Sequence, residues 1–172
     1  MNEVGKREVW KVDAFAPTPF AGNPAEVAPH ADGTSNTHGT SSTDAGLGAD
    51  FRFRYFTSSC EVDLCGHATV AALFTLAWTG RIRAVEGNLA LRIATRVGII
   101  QTELSFQDGE PQWASMEQLE PKYVEAPQGH LAAAILGIEQ DALDPSLPVA
   151  CASSGLLGLF CPAPVLVLPR PT

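Results

Sequence analysis

A chain of 172 residues, with 45% hydrophobic and 17% charged residues, has the composition of an ordinary globular protein and is most simply one domain. Its formal net charge of −8 argues against a nucleic-acid partner, because phosphate backbones are bound by clustered Lys and Arg. The most apolar stretch, Leu156–Leu168, contains two prolines and is shorter than the ~20 residues that a membrane-spanning helix needs. We therefore expect a single domain over residues 1–172 that has no membrane partner.

The four cysteines, at positions 60, 65, 151 and 161, would suit two disulfides in a secreted chain. The N-terminal residues MNEVGKREVWKV contain neither the apolar core nor the small-residue cleavage site of a signal peptide. We therefore predict a cytoplasmic protein with reduced thiols.

The N-terminal third is predicted to contain two strands and a long loop. Val9–Phe15 alternates apolar and polar residues, which is typical of a strand, and Ala25–Ala28 follows as a short second strand after a connection rich in proline. Residues 30–50 are almost entirely Gly, Ser, Thr, Asp and Ala. Such a segment buries too little apolar surface to offset its ordering entropy, so it is predicted to be a flexible loop.

A strand and a buried helix are predicted next. Phe51–Phe56 alternates aromatic residues with arginines, which would place the aromatic rings on one face of a strand. Gly66–Ala77 is apolar nearly all round, as expected for a buried helix, and Gly80 follows as a C-terminal stop.

The rest of the chain is predicted to be mostly strands. One helix lying among many strands favours an α+β roll over a doubly wound parallel sheet, which would need repeated helical crossovers. The predicted elements are one or two strands over Leu89–Phe106, a hairpin turn at Asp108-Gly109, strands at Gln112–Met116, Val149–Ala152 and Val165–Leu168, and a short helix over Pro127–Leu136 that ends at Gly137.

Two motifs resemble a known family. They are VDAFAPTPFAGNPAEV, over Val12–Val27, and RYFTSSCEVDLCGHATVAA, over Arg54–Ala72. Together they closely resemble the signature of the PhzF-like isomerases of phenazine biosynthesis, which share the diaminopimelate epimerase fold. The resemblance implies two similar halves, each a strand roll around a central helix, with the active site between them. This chain resembles the N-terminal half.

The resemblance also implies an activity. PhzF-like proteins are isomerases and epimerases of biosynthetic pathways that need no cofactor and move a proton at carbon on small carboxylates. We therefore expect no cofactor, and a small carboxylate metabolite as the ligand. Cys60, Cys65 and His67 match no standard zinc spacing, so no metal site is predicted.

The start of the predicted helix is the candidate site. Its first N–H groups lack intrahelical partners and carry partial positive charge, and Gly66 would let a carboxylate approach them closely. The resemblance assigns substrate binding to Gly66 and His67, and His67 could also donate a proton. It places Asn23 at a turn beside the site, where the amide could bind a polar group of the substrate.

Cys65 is the candidate catalytic base, together with His67. Diaminopimelate epimerases carry a catalytic cysteine at the position that Cys65 matches, and a helix N-terminus favours the thiolate that such chemistry needs. The alternative is a buried, inert thiol, since free cysteine is among the most buried residue types.

Two charged pairs precede the helix. Glu61 and Asp63 alternate along a strand, which would put both carboxylates on one solvated face. Arg52 and Arg54 are predicted on the outward face of their own strand.

One departure from the family pattern leaves two functions open. PhzF-like isomerases use a glutamate as general acid and base, in a segment between the two motifs. Here that place is taken by the loop of residues 30–50, and no glutamate lies between Glu26 and Glu61. The chain is therefore either an isomerase that rebuilds a two-half cleft as a homodimer, or a truncated, inactive member that at most binds a small carboxylate.

Overall fold

The computed structural model describes residues 8–18, 20–29 and 48–163. The chain divides into two compact units, the first ending at Gln118 and the second beginning at Leu119. The described elements of the first unit are the strands β1 (Trp10–Ala14), β2 (Asn23–Val27), β3 (Phe51–Arg52), β4 (Tyr55–Phe56), β5 (Glu61–Val62), β6 (Gly87–Thr95), β7 (Gly98–Gln107) and β8 (Glu110–Met116), and the helix α1 (Gly66–Trp78).

The strands of the first unit form three small sheets. β1 and β2 pair antiparallel, with Trp10 opposite Val27 and Ala14 opposite Asn23. A four-stranded sheet has the order β3-β6-β7-β8, in which β3 runs parallel to β6 and the other neighbours are antiparallel. β4 and β5 form a short antiparallel pair that leads into the helix.

The turn between β7 and β8 follows from its residues. Asp108 and Gly109 both have positive φ, at 54° and 81°, which is the backbone geometry of a type I′ hairpin turn. The predicted hairpin at this position is confirmed, and the predicted strand region from Leu89 to Phe106 is two strands, β6 and β7.

Helix α1 is the core of the first unit. It packs against β1, β2 and β8, and Leu73 and Leu76 are fully buried. Burying such a side chain contributes about 1.5–3 kcal/mol. The helix ends where the sequence predicts, since Gly80 has φ 70° and the N–H groups that follow bond back to the carbonyl of Leu76.

The predicted single strand over Phe51–Phe56 is wrong. The chain changes sheets here: β3 pairs with β6, and the N–H of Phe53 bonds to the carbonyl of Ala94, whereas β4 pairs with β5. Phe53 and Tyr55 are each 1% exposed, while Phe51 is half-buried. The burial of Phe53 and the burial of Tyr55 therefore depend on two separate strand pairings.

The second unit is small. Its described elements are β9 (Lys122–Val124), α2 (Gly129–Leu136), a 3₁₀ turn over Gln140–Ala142, β10 (Ala150–Ser153) and β11 (Leu157–Phe160). The strands form an antiparallel sheet of order β11-β10-β9, and α2 ends at Gly137 with φ 68°, as predicted. β9 and β11 were not predicted. The predicted strand Val165–Leu168 and most of the predicted loop over residues 30–50 lie outside the described residues.

The fold class is confirmed as α+β, with strands of the first unit packed around the central helix α1. Among the described residues, no helix has both the length and the apolar character that crossing a bilayer requires.

Candidate functional site

The candidate site is built on the first turn of α1. Cys65 is the N-cap residue, with extended backbone at φ −147° and ψ 110°, and its carbonyl accepts the first helical hydrogen bond, from the Thr69 N–H at 3.0 Å. Among the described residues no side chain caps this terminus, and the first turn contains no acidic residue. The positive end of the helix is therefore available to an anion.

Gly66, the first residue of the helix, has no packing reason among the described residues to be glycine. A Cβ built on it would meet only one neighbour, the Met116 sulfur at 3.9 Å, which is an ordinary van der Waals distance. The absence of a side chain at Gly66 leaves room beside the helix N-terminus that no described part of the fold requires.

Cys65 and His67 contact each other at the helix start. The Cys65 sulfur lies 3.3 Å from the His67 Nδ1, and both residues are half-buried. In one protonation state the thiol donates to a neutral imidazole, and in the other an imidazolium donates to the thiolate. The geometry therefore brings together two groups that can share one proton, which is the requirement for general acid-base chemistry.

The third predicted residue of the site, Asn23, is the exposed first residue of β2, opposite Ala14. Because β2 packs against α1, Asn23 belongs to the same unit as the helix start. Its contact with substrate stays a prediction.

Two further residues at the helix start were missed by the sequence reasoning. The hydroxyl of Tyr55, on β4, lies 2.7 Å from the hydroxyl oxygen of Thr69, and Thr69 donates to the Cys65 carbonyl at 2.8 Å. Burial raises the pKa of the Tyr55 phenol, with a hydrogen bond to Thr69 acting in the opposite direction. The signal in the sequence was a tyrosine in an otherwise phenylalanine-rich run of aromatic residues.

The two acids before the helix are engaged by arginines, so the predicted solvated face for Glu61 and Asp63 is only partly right. Arg54 binds Glu61 through two hydrogen bonds of 2.9 Å, and Arg96 lies 3.4 Å from Glu61 and 3.1 Å from Asp63. The Glu61 side chain is 19% exposed, and the Arg54 hydrogen bonds are the main cause that lowers its pKa. A carboxylate held in its charged form by a bidentate arginine is poorly suited to act as a proton-transfer base at neutral pH.

Arg54 was predicted on an outward face, and this is only partly right. Its guanidinium is half-buried, because it binds Glu61 and stacks over the ring of Phe56 at 4.9 Å. This cluster ties β4 to β5, the strand that leads into the helix start.

The first motif has a steric requirement of its own. A Cβ at Gly22 would lie 2.4 Å from the carbonyl oxygen of Ala14 and 2.7 Å from the Ala16 side chain, so only glycine fits there. Phe15 and Phe20 have positive φ, which is uncommon for bulky residues. The described residues of the loop between β1 and β2 are therefore closely packed, with strained backbone at Phe15 and Phe20.

An apolar groove of about 510 Å³ lies along residues 70–78 of α1, C-terminal to the Cys65–His67 pair. The end of β1 and the middle of β8 form its walls, and its lining includes Phe15, Phe74, Trp78 and Trp113. Within the described ranges, no cluster of three or more His, Cys, Asp and Glu residues is arranged to hold a metal ion.

Comparison with known proteins agrees with this architecture. The family model described as phenazine biosynthesis-like protein matches residues 12–165. A protein of Bacillus subtilis strain 168 described as "uncharacterized isomerase YfhB" is 33% identical over 171 residues, which cover 90% of this chain and 56% of that protein. The "uncharacterized isomerase PA2770" of Pseudomonas aeruginosa is 36% identical over 143 residues, covering 77% of this chain and 51% of that protein. The chain thus spans about half the length of these curated relatives.

Solved structures share the fold. The Bacillus anthracis phenazine biosynthesis protein of the PhzF family superposes with a TM-score of 0.70 at 29% identity, over 91% of this chain and 55% of that one. A Pseudomonas aeruginosa protein described as "a predicted epimerase PA4716" gives a TM-score of 0.66 at 18% identity, over 92% of this chain and 60% of that one, and shows likeness of fold alone. These matches confirm the epimerase-like fold that the two motifs predicted. The chain belongs to the phenazine biosynthesis-like family.

Proposed function

We propose that this protein is a cofactor-independent isomerase that moves a proton at the carbon next to the carboxylate of a small metabolite. The observation that carries the proposal is the 3.3 Å contact between the Cys65 sulfur and His67 Nδ1 at the N-terminus of α1. The family and its relatives described as isomerases support the reaction class. A cytoplasmic, biosynthetic role stays a prediction.

The helix start supplies the binding site for the carboxylate. The N–H groups of Gly66 and Ala68 come before the first helical hydrogen bond, which Thr69 donates, and they point out of the helix end. A carboxylate beside Gly66 would accept these N–H groups and lie at the positive end of the helix dipole. With no acidic side chain in the first turn, nothing there repels it.

The Cys65–His67 pair supplies the proton transfer. As a thiolate, Cys65 removes the proton from the substrate carbon: the C–H bond breaks, an S–H bond forms, and the electron pair moves into the carboxylate as an enediolate. Return of a proton to a different face or a different carbon gives the isomer, with no net change in oxidation state. His67, as an imidazolium, donates its Nδ1–H to the thiolate before the transfer. After the transfer, the Cys65 thiol and the imidazolium each carry a proton, and either can return one to the enediolate.

A homodimer would supply the second half of the cleft. Two-fold pairing is the commonest way in which identical chains close a shared site. In such a dimer, the second chain would cover the carboxylate and offer a proton donor on the opposite face of the substrate.

The alternative is a family member that binds a small carboxylate without turning it over. Two observations favour it: no glutamate lies between Glu26 and Glu61, and Glu61 itself is committed to Arg54. Without a glutamate in this segment, catalysis would depend on Cys65 as the base.

Solvent isotope exchange separates the two functions. The purified protein is incubated in D₂O with a panel of amino acids and 2-hydroxy acids, and deuterium at the carbon next to the carboxylate is followed by proton NMR. The proposal predicts exchange by the wild type and loss of at least about 100-fold in Cys65→Ser, in the range of removing a proton-transfer group. Cys60→Ser, which changes an exposed thiol before the helix, is the matched control and should exchange at the wild-type rate.

Exchange by Cys65→Ser at the wild-type rate would refute the thiol mechanism. Absence of exchange in the wild type, together with thermal stabilisation by a carboxylate, would establish the binding function instead. Light scattering during size exclusion, run on the same sample, tests the homodimer directly.

A further inference from the structure

A buried hydrogen-bond chain runs from the core of the first unit to the helix start. Tyr55 is 1% exposed and Thr69 is fully buried, and their hydroxyl oxygens lie 2.7 Å apart. Thr69 has one hydroxyl proton and gives it to the Cys65 carbonyl at 2.8 Å, so Tyr55 must be the donor to Thr69. The hydrogen bonds are therefore all donated in one direction, from the phenol to the threonine and from the threonine to the carbonyl of Cys65.

The Cys65 carbonyl accepts two hydrogen bonds from the same residue. Besides the Thr69 hydroxyl, it accepts the Thr69 backbone N–H at 3.0 Å. The orientation of this peptide group fixes the backbone of Cys65, and its sulfur lies 3.3 Å from the His67 Nδ1. Holding the carbonyl in place thus fixes the backbone from which the Cys65 side chain reaches the imidazole.

The phenol is not needed to satisfy Thr69 within the helix. A second buried threonine, Thr75, makes the same bond to its own helix, donating to the Ala71 carbonyl at 2.8 Å, and is likewise fully buried. At Thr69 the fold adds a buried phenol on a separate strand, β4, although leaving a hydroxyl in the core has a desolvation cost unless it is bonded.

We infer that Tyr55 and Thr69 are positioning residues, which fix the Cys65 carbonyl and thereby hold the thiol in contact with His67. This inference rests on the proposed function for the chemistry of Cys65, but the geometry that it describes is independent of turnover. Burial raises the pKa of Tyr55, so the phenol keeps its proton and stays a donor over the whole physiological range.

The O–H dipoles of Tyr55 and Thr69 also act on the thiol. Each O–H directs its positive end toward Cys65, and such an arrangement stabilises negative charge that develops nearby. Removing either hydroxyl is therefore expected to slow reactions that pass through the Cys65 thiolate, without removing any group that touches the substrate.

Isosteric variants test the inference. Thr69→Val and Tyr55→Phe remove one hydroxyl each and keep the shape of the side chain. Thr69→Ser restores the hydroxyl. Thr75→Val is the matched control, since it removes the same kind of bond from the same helix six residues further on.

The first readout is the reactivity of the Cys65 thiol toward iodoacetamide at fixed pH. It is measured in a background in which Cys60, Cys151 and Cys161 are serine, so that Cys65 is the one thiol left. We expect alkylation to slow by about threefold to tenfold in Thr69→Val and Tyr55→Phe, the range expected for one buried hydrogen bond, and to recover in Thr69→Ser. Thr75→Val should react at the background rate.

The second readout reports the carbonyl itself. Cys65-Gly66 is the only Cys-Gly pair in the sequence, so carbonyl-¹³C cysteine with ¹⁵N glycine gives a single correlated NMR signal, from this peptide group. Loss of the hydroxyl bond should move its carbonyl resonance upfield in Thr69→Val, with a smaller movement in Tyr55→Phe and none in Thr75→Val.

The outcomes are separable. Wild-type reactivity and resonance in both Thr69→Val and Tyr55→Phe would overturn the inference, and so would equal slowing in Thr75→Val, which would indicate general loosening of the helix. An effect of Thr69→Val without one of Tyr55→Phe would overturn the role of the phenol. Absence of isotope exchange in the wild type and in all the variants would refute the proposed isomerase. The alkylation and NMR results would still decide whether Tyr55 and Thr69 position Cys65. If Tyr55→Phe does not fold, the Thr69→Val and Thr69→Ser pair decides.

Discussion

Replacing Gly66 with alanine is expected to separate folding from ligand binding. The added Cβ would meet the Met116 sulfur at 3.9 Å and nothing nearer, so the fold can accept it without movement. Alanine also loses less backbone entropy than glycine on entering a helix. The variant should therefore be as stable as the wild type or up to about 1 kcal/mol more stable.

Binding should change in the opposite direction. The methyl group would occupy the space through which a carboxylate reaches the first N–H groups of α1, and one charge-assisted hydrogen bond is worth about 1.5–3 kcal/mol. Losing one such bond weakens binding by about 10- to 150-fold. The added stability would raise the melting temperature by no more than about 2–4 °C in a chain of this size.

The assay is a pair of thermal melts, with and without a carboxylate that stabilises the wild type, followed by calorimetric titration. Gly129→Ala is the matched control, because Gly129 is the first residue of α2 and its Cβ would meet Leu143 at an ordinary 3.6 Å. It should bind like the wild type. Unchanged affinity in Gly66→Ala would show that the carboxylate does not lie at this helix start. A large loss of stability would show that Gly66 is needed by the fold itself.

Two further predictions concern the segments that flank the helix. Glu61→Gln should lower the free energy of unfolding by up to about 1 kcal/mol at pH 7, because it discharges a partly exposed pair with Arg54. Since the pKa of Glu61 is lowered in the folded state, its contribution is present above the ordinary value of 4.5 and is lost as the pH falls below it. Urea unfolding curves of wild type and variant should therefore converge in acid, and a gap that stays constant from pH 7 to pH 3 would contradict the ion-pair argument. Gly22→Ala should cost about 1–3 kcal/mol, because its Cβ would lie 2.4 Å from the Ala14 carbonyl oxygen and the strand ends must move apart. An unchanged urea midpoint would show that the loop between β1 and β2 adjusts freely.

Local patterns predicted the elements whose causes are local. Strand β1, the helix from Gly66, its stop at Gly80 and the turn at Asp108-Gly109 each follow from alternation, apolar content or residues that accept positive φ. The crossing from β3 to β4 was missed because it depends on which distant strand each pair of residues meets. The local sequence of Phe51–Phe56 does not indicate which distant strand each pair of residues will meet.

The candidate site divides in the same way. Position alone predicted that Cys65, Gly66 and His67 would share a helix start, and the resemblance supplied their roles. The contact of the Cys65 sulfur with Nδ1, rather than with another neighbour, is set by side-chain rotamers. The hydrogen bond from Tyr55 to Thr69 joins residues 14 positions apart on different elements, so a periodic sequence pattern cannot predict it. The bidentate pairing of Arg54 with Glu61 depends in the same way on the register of β4 against β5.

The groove beside α1 has a practical consequence for spectroscopy. The three tryptophans of the chain, Trp10, Trp78 and Trp113, are 42%, 54% and 46% exposed, so the native emission already comes from indoles in contact with water. Denaturation will therefore shift the emission maximum little, and intrinsic fluorescence will be an insensitive monitor of unfolding. Trp78 and Trp113 both line the groove, however, and anything that covers it must remove water from two of the three fluorophores. A blue shift on mixing would then report occupation of that surface without any added dye.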